Sequence, residues 1–125
     1  MAAAGASSPS AVPLRLVIVD NDQTVLNLLT LDLGLEGHQI MATAMEAESA
    51  VAACVEYEPD VLIVDLRLGS GPNGIDVAHR VRRPGLRIIL HTNYVSTATV
   101  KAAAGAGAVV VEKGSLRALR RALYG

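Results

Sequence analysis

The chain has 125 residues, 11 basic and 12 acidic side chains and a formal charge of −1. That length suits one domain burying about two thirds of its unfolded surface, and the charge balance excludes nucleic acid or an anionic membrane as the main partner. No apolar run reaches the roughly 18 residues of a membrane span, and the lone Cys54 has neither a disulfide partner nor metal-ligand neighbours, which points to a reducing, cytoplasmic compartment.

The opening MAAAGASSPSAVP lacks the basic start and continuous apolar centre of a signal peptide. Its Ala, Ser, Gly and Pro content predicts a disordered tail over residues 1–13, followed by one domain over 14–125. LRLVIVD then predicts a first strand running into Asp20, Asn21 and Asp22, and a helix follows from Asp22 to Leu35 with Asp22 suited to its N-cap. HQIMAT is the second strand, followed by a helix from Glu46 to Tyr57. DVLIVD is the third, closed by Asp65; the loop DLRLGSGPNG leads to a helix from Ile75 to Arg83. LRIILHT ends in Thr92 before a helix from Ser96 to Ala104, and AVVVE is followed by Lys113 and a last helix from Ser115 to Leu123. Helix stops are marked by Gly34 and Gly37, Pro59, Pro84 with Gly85, and Gly105 with Gly107. Arg117, Arg120 and Arg121 read as a solvated helix face.

Val17 to Val19, Val61 to Val64 and Val109 to Val111 are apolar at every position, the pattern of parallel strands covered on both faces. Alternating strands and helices with right-handed crossovers predict a doubly wound α/β fold, a five-stranded parallel sheet with helices on both faces. Ligands of such sheets bind outside the carboxyl ends of the strands. Those ends carry Asp20 to Asp22, Asp65, Thr92 and Lys113. Two carboxylates about 5 Å apart repel by roughly 3 kcal/mol at an effective dielectric near 20, which a divalent cation would relieve. Hard oxygen ligands without His or Cys suit Mg²⁺. Metal, hydroxyl and lysine around an aspartate are the parts that stabilise the oxygens of a transferring phosphoryl group.

The motifs VIVDND, VDLRL, LHTN and VEKG, in this order, resemble those of response-regulator receiver domains of two-component signalling over essentially all of Leu14 to Leu123. The resemblance implies that Asp65 is the phosphoacceptor, Thr92 the switch hydroxyl and Lys113 the phosphoryl-binding lysine. It further implies Mg²⁺ held by Asp20, Asn21, Asp65 and the backbone carbonyl of Arg67, with Asp22 a further candidate ligand. The implied partner is a histidine kinase or phosphotransfer protein, and the face made by the fourth helix, fifth strand and fifth helix is a candidate homodimer surface. The protein would catalyse its own phosphorylation and dephosphorylation without acting on an external substrate.

Asp20 to Thr24 also has the D-x-D-x-T spacing of aspartate-nucleophile phosphatases. That alternative makes Asp20 the nucleophile, but leaves Asp65 without a role and needs a final acidic pair that the 12 residues after Lys113 lack. A second alternative is a receiver-like interaction domain that no longer switches by phosphorylation, motivated by three departures from the family. Asn21 stands where a second acid is usual, which weakens metal binding. Val110 replaces the usual aromatic reporter three residues before the lysine. Gly114 replaces the usual cis proline, and a cis bond before a non-proline costs roughly 2.5 to 4 kcal/mol, so a trans bond is expected there. His38, His79 and His91 share no ligand spacing, and His91 reads as a packed strand residue. Arg67 and Tyr94, two residues beyond the acceptor and the switch threonine, are placed to lean over the phosphoryl group. The elements end one helix past the fifth strand, which leaves both a stand-alone receiver and a piece of a longer regulator open.

Overall fold

Apolar runs of strand length alternate with capped helical segments throughout the chain, and a computed structural model describing residues 12–125 shows what they build. Positions 1–11 of the expected tail lie outside the described residues; Val12 accepts a hydrogen bond on its carbonyl from the Tyr124 hydroxyl at 2.7 Å. The elements in order are β1 (Arg15–Val19), α1 (Gln23–Leu35), β2 (Gln39–Ala44), α2 (Ala47–Tyr57), β3 (Val61–Val64), α3 (Gly74–Val81), β4 (Arg87–Thr92), α4 (Thr97–Gly105), β5 (Ala108–Glu112) and α5 (Leu116–Ala122). The strands form one parallel sheet in the order β2-β1-β3-β4-β5.

Side chains alternate across each strand and therefore feed two cores. Val17, Val19, Leu62, Val64, Ile88 and Leu90 pack beneath α2, α3 and α4. Leu16, Ile18, Val61, Ile63 and Ile89 pack beneath α1 and α5, against Leu26, Leu29, Leu33, Leu119 and Leu123. Burying a leucine or isoleucine fully contributes about 1.5 to 3 kcal/mol, and the central strands bury nearly all of theirs.

Helix starts are set locally. Asp22, Ser96 and Ser115 cap α1, α4 and α5 by accepting from the amides of Thr24, Thr99 and Ala118. Asn73 and Asp76 form a reciprocal capping box at α3, which begins one residue earlier than Ile75 and ends at Val81 rather than Arg83.

Two expectations are corrected. Val109 to Val111 are not covered on both faces, because β5 is an edge strand and Val109 is 46% exposed. It is β4, which ends in the polar His91 and Thr92, that lies inside the sheet and is buried from Ile88 to Thr92. Nor is Arg120 simply solvated: its Nε donates to Asp32 Oδ2 at 3.0 Å and its Nη2 to Oδ1, tying α5 to α1.

Candidate functional site

The parallel register sets Val19 beside Val64, so the residues that follow, Asp20 and Asp65, emerge side by side at the carboxyl edge. Both are buried, at 1% and 4% exposure. The Asp20 amide donates to the Ala44 carbonyl at 3.0 Å and the Asp65 amide to the Val19 carbonyl at 2.9 Å, so the backbone holds each one. From beyond β5, the Lys113 amide donates to the Thr92 carbonyl at 3.0 Å. Its Nζ lies 2.8 Å from both Asp20 Oδ2 and Asp65 Oδ2. The remaining carboxylate oxygens are occupied locally: Asp20 Oδ1 accepts from the Asp22 amide at 2.9 Å and Asp65 Oδ1 from the Leu66 amide at 2.7 Å.

One ammonium between two buried carboxylates makes a charged triad with one negative charge in excess when both acids are ionised. Burial pushes the Asp20 carboxyl above its ordinary value despite the Lys113 ammonium and the Asp22 amide. Burial acts to lower Lys113, but its hydrogen bonds to Asp20 and Asp65 prevail and its net shift is upward, so it stays an ammonium. Thr92 completes the ring fully buried, its Oγ1 accepting from the Tyr94 amide at 3.1 Å.

Asn21 is exposed beside Asp20 on a cavity of about 430 Å³ shared with Met45, Glu46, Ser49 and Leu68. Asp22, the other candidate ligand, is exposed and its Oδ1 accepts from the Thr24 amide at 2.9 Å, so it serves α1 as a cap. Among the described residues no three His, Cys, Asp or Glu side chains group as a metal site. The acidic donors are the Asp20 and Asp65 pair, whose excess charge and hard oxygens fit a cation of the Mg²⁺ class. Further ligands would have to be neutral oxygens such as those of Asn21 and the Arg67 carbonyl.

Two glycines shape the site. A Cβ on Gly74 would stand 2.1 Å from the Asp65 carbonyl oxygen, so α3 begins against the Asp65 backbone only because this residue has no side chain. In sequence Gly74 is indistinguishable from its turn neighbours Gly69 and Gly71. Gly114 adopts φ +112° immediately after Lys113, a conformation that glycine tolerates and the usual proline could not take. Lys113 reaches both carboxylates from it.

Above the edge the Arg67 guanidinium carbon sits 4.0 Å from the Tyr94 ring centroid. His91 is buried as expected of a packed strand residue, and burial together with Lys113 pushes its imidazole down to about 4. Cavity size alone does not locate the chemistry. A cavity of about 560 Å³ between α1 and Thr43, larger than the one beside Asn21, has no ionisable side chain in its lining.

A family model, the response regulator receiver domain, matches residues 16–122. The chain belongs to the response regulator receiver domain family. Within that family it is 37% identical over 95 residues to the photosynthetic apparatus regulatory protein RegA of Cereibacter sphaeroides, covering 74% of this chain and 50% of RegA. It is 34% identical over 82 residues to the probable transcriptional regulatory protein TcrX of Mycobacterium tuberculosis, covering 64% of this chain and 34% of TcrX. The receiver domain thus spans half or less of the length of these curated relatives. In fold it is similar to a chain of the CheX-CheY-BeF3-Mg²⁺ complex from Borrelia burgdorferi, with a TM-score of 0.81, 23% identity and coverage of 90% of this chain and 87% of that one. The protein is a receiver domain of two-component response regulators.

Proposed function

We propose that this receiver domain switches by accepting a phosphoryl group on Asp65 from the phosphohistidine of a kinase or phosphotransfer protein. The observation that carries the reading is the Lys113 ammonium held 2.8 Å from both Asp65 and Asp20. An Asp65 carboxylate oxygen attacks phosphorus, the P–N bond of the donor breaks with its electron pair returning to the imidazole, and an acyl phosphate forms. Lys113 would exchange a carboxylate partner for a phosphoryl oxygen, so the developing charge would meet a preorganised cation. Asp20, Asn21, Asp65 and the Arg67 carbonyl would hold Mg²⁺. When bound, that ion supplies positive charge to the phosphoryl oxygens. The Thr92 hydroxyl, now accepting from the Tyr94 amide, is the group that would turn toward the phosphoryl. Hydrolysis at the same site would reset the protein, with no external substrate.

TcrX and RegA are regulatory proteins by name, and the output we propose for this domain is likewise regulatory, through a module or partner of its own. Mass spectrometry after treatment with a small phosphodonor and Mg²⁺ tests the reading. One phosphoryl group on Asp65, lost in Asp65→Asn and on chelation of the metal, is the expected result. Undiminished labelling of the Asp65→Asn variant would overturn it.

A further inference from the structure

At the opposite, amino-terminal edge of the sheet, two aromatic side chains hold the segment that leads into β1. The Leu14 amide donates to His38 Nδ1 at 3.1 Å and the Leu14 carbonyl accepts from the Gln39 amide at 2.9 Å, so the pairing of β1 with β2 runs one residue before Arg15. Gly37, at φ +98°, turns the chain just ahead of β2, and the imidazole there takes the place of a backbone carbonyl. Two residues upstream the Tyr124 hydroxyl, just beyond α5, donates to the Val12 carbonyl at 2.7 Å. The Tyr124 and His38 rings lie 6.0 Å apart, centroid to centroid. Held in this way, the Leu14 side chain packs against the α1/α5 core.

We propose that His38 is a proton-operated latch, closed while its imidazole is neutral, whose opening on acidification releases Val12 to Leu14 from β2 and α5. A neutral imidazole has one acceptor nitrogen and one N–H. With Nδ1 taken by the Leu14 amide the proton sits on Nε2, and the nitrogen left to protonate is the acceptor itself. An imidazolium would turn an N–H toward the Leu14 N–H, so bond and charge exclude each other. Burial holds the imidazole below its ordinary 6.5, and a hydrogen bond to the neutral form acts in the same direction. Opposing both is the Glu36 carboxylate at the end of α1, which acts to raise it. Neither Val12 to Leu14 nor β2 brings a charged side chain. From the α5 side, Arg120 is committed to Asp32, and Tyr124 stays a neutral donor because burial, then Glu36, pushes its hydroxyl up. A proton shifts a two-state equilibrium only as far as it binds one state better, and the lowered titration of the closed latch is that difference. Opening uncovers the part of the α1/α5 core on which Leu14 sits. The inference stands independently of phosphorylation at Asp65.

Imidazole and amide NMR of the full chain, titrated from about pH 8 to about pH 5, tests the latch. His38 is expected to titrate with a midpoint below 6.5, and the Leu14 amide proton to move upfield with that same midpoint as its bond breaks. The heteronuclear NOE of Val12 and Leu14 should fall on the acid side, while Val17 to Val19 in the middle of the sheet keep theirs. His38→Asn sets an amide oxygen close to the place of Nδ1 and cannot titrate, so in it the pH response of Val12 and Leu14 should vanish. Tyr124→Phe removes only the second tie, so Leu14 should still follow His38 while Val12 is loose across the whole range. A His38 that titrates with the Leu14 amide unmoved, a midpoint at or above the ordinary one, or a Leu14 response that survives His38→Asn would each overturn the proposal.

Discussion

The Arg67 guanidinium carbon lies 4.0 Å from the centroid of the Tyr94 ring, joining the loop after β3 to the loop after β4. Both side chains are exposed, so the pair is held by a cation–π attraction of about 0.5 to 1 kcal/mol. With Asp65 phosphorylated as proposed, this pair, two residues beyond Asp65 and Thr92, would screen the phosphoryl group from an attacking water. The variant with both truncated to alanine is therefore expected to lose its phosphoryl group roughly two- to fivefold faster, the Boltzmann equivalent of that attraction. Decay of labelled protein measures it, and slower decay in the variant would mean that the pair does not screen the site.

Asn21→Asp adds a third carboxylate beside a pair that already carries one excess negative charge. Mg²⁺ should bind several-fold more tightly to the variant, while the metal-free protein should melt lower because three acids then face one ammonium. A Mg²⁺ titration followed by thermal melting reads both effects. Unchanged affinity would place Asn21 outside the metal's reach.

Gly74→Ala sets a methyl group 2.1 Å from the Asp65 carbonyl oxygen, a backbone atom that cannot rotate away. Overpacking of this kind costs about 1 to 3 kcal/mol, and the displaced α3 start should also slow labelling of Asp65. Gly71→Ala has open space around it and a backbone free of positive φ, so its change should stay within about 0.5 kcal/mol. Urea denaturation of the two variants distinguishes a specific contact from a general need for glycine in this loop.

Acidification should weaken the fold through His91. Its folded imidazole titrates at about 4 against an ordinary 6.5, so the native state binds fewer protons than the unfolded chain and stability falls as pH drops from 6.5 toward 4. The loss by pH 4 is on the order of 3 kcal/mol. His38, lowered mainly by burial, acts in the same direction. Asp20, raised mainly by burial, acts in the opposite one, its contribution becoming more favourable as pH falls. Urea midpoints of His91→Phe should depend less on pH over this window than those of the unaltered chain, and an equal dependence would show that His91 is not the responsible group.

Val110 is half-buried and packs on the core beneath α4, with a short β-branched side chain where the family usually carries an aromatic. Movement of Thr92 toward a phosphoryl mimic then has little bulk to draw after it. Hydrogen exchange with beryllofluoride should show strong protection around Asp65 and Thr92 and modest change from Val100 to Leu119. Equal protection in both regions would reveal a switch that works without the ring.

The number and order of elements, the acids and hydroxyl that end the strands, and the cap of α1 were legible in the residues alone, because each depends on groups within a few positions of one another. Strand order is not local. Val109 to Val111 is apolar throughout and the run from Ile88 to Thr92 ends in His91 and Thr92, yet their places in the sheet make the first an edge and bury the second. The same holds for Asp32 and Arg120, 88 positions apart, and for Lys113 and Asp65, 48 apart. The lysine could be named from its position after a strand, but that its ammonium bridges two carboxylates depends on β1, β3 and β5 converging at one edge. The closeness of Gly74 to the Asp65 carbonyl, the stacking of Arg67 on Tyr94 and the hold of His38 on the Leu14 amide are likewise consequences of packing. A side chain's partners are set by which crossovers bring distant segments together, and no spacing within one segment records that.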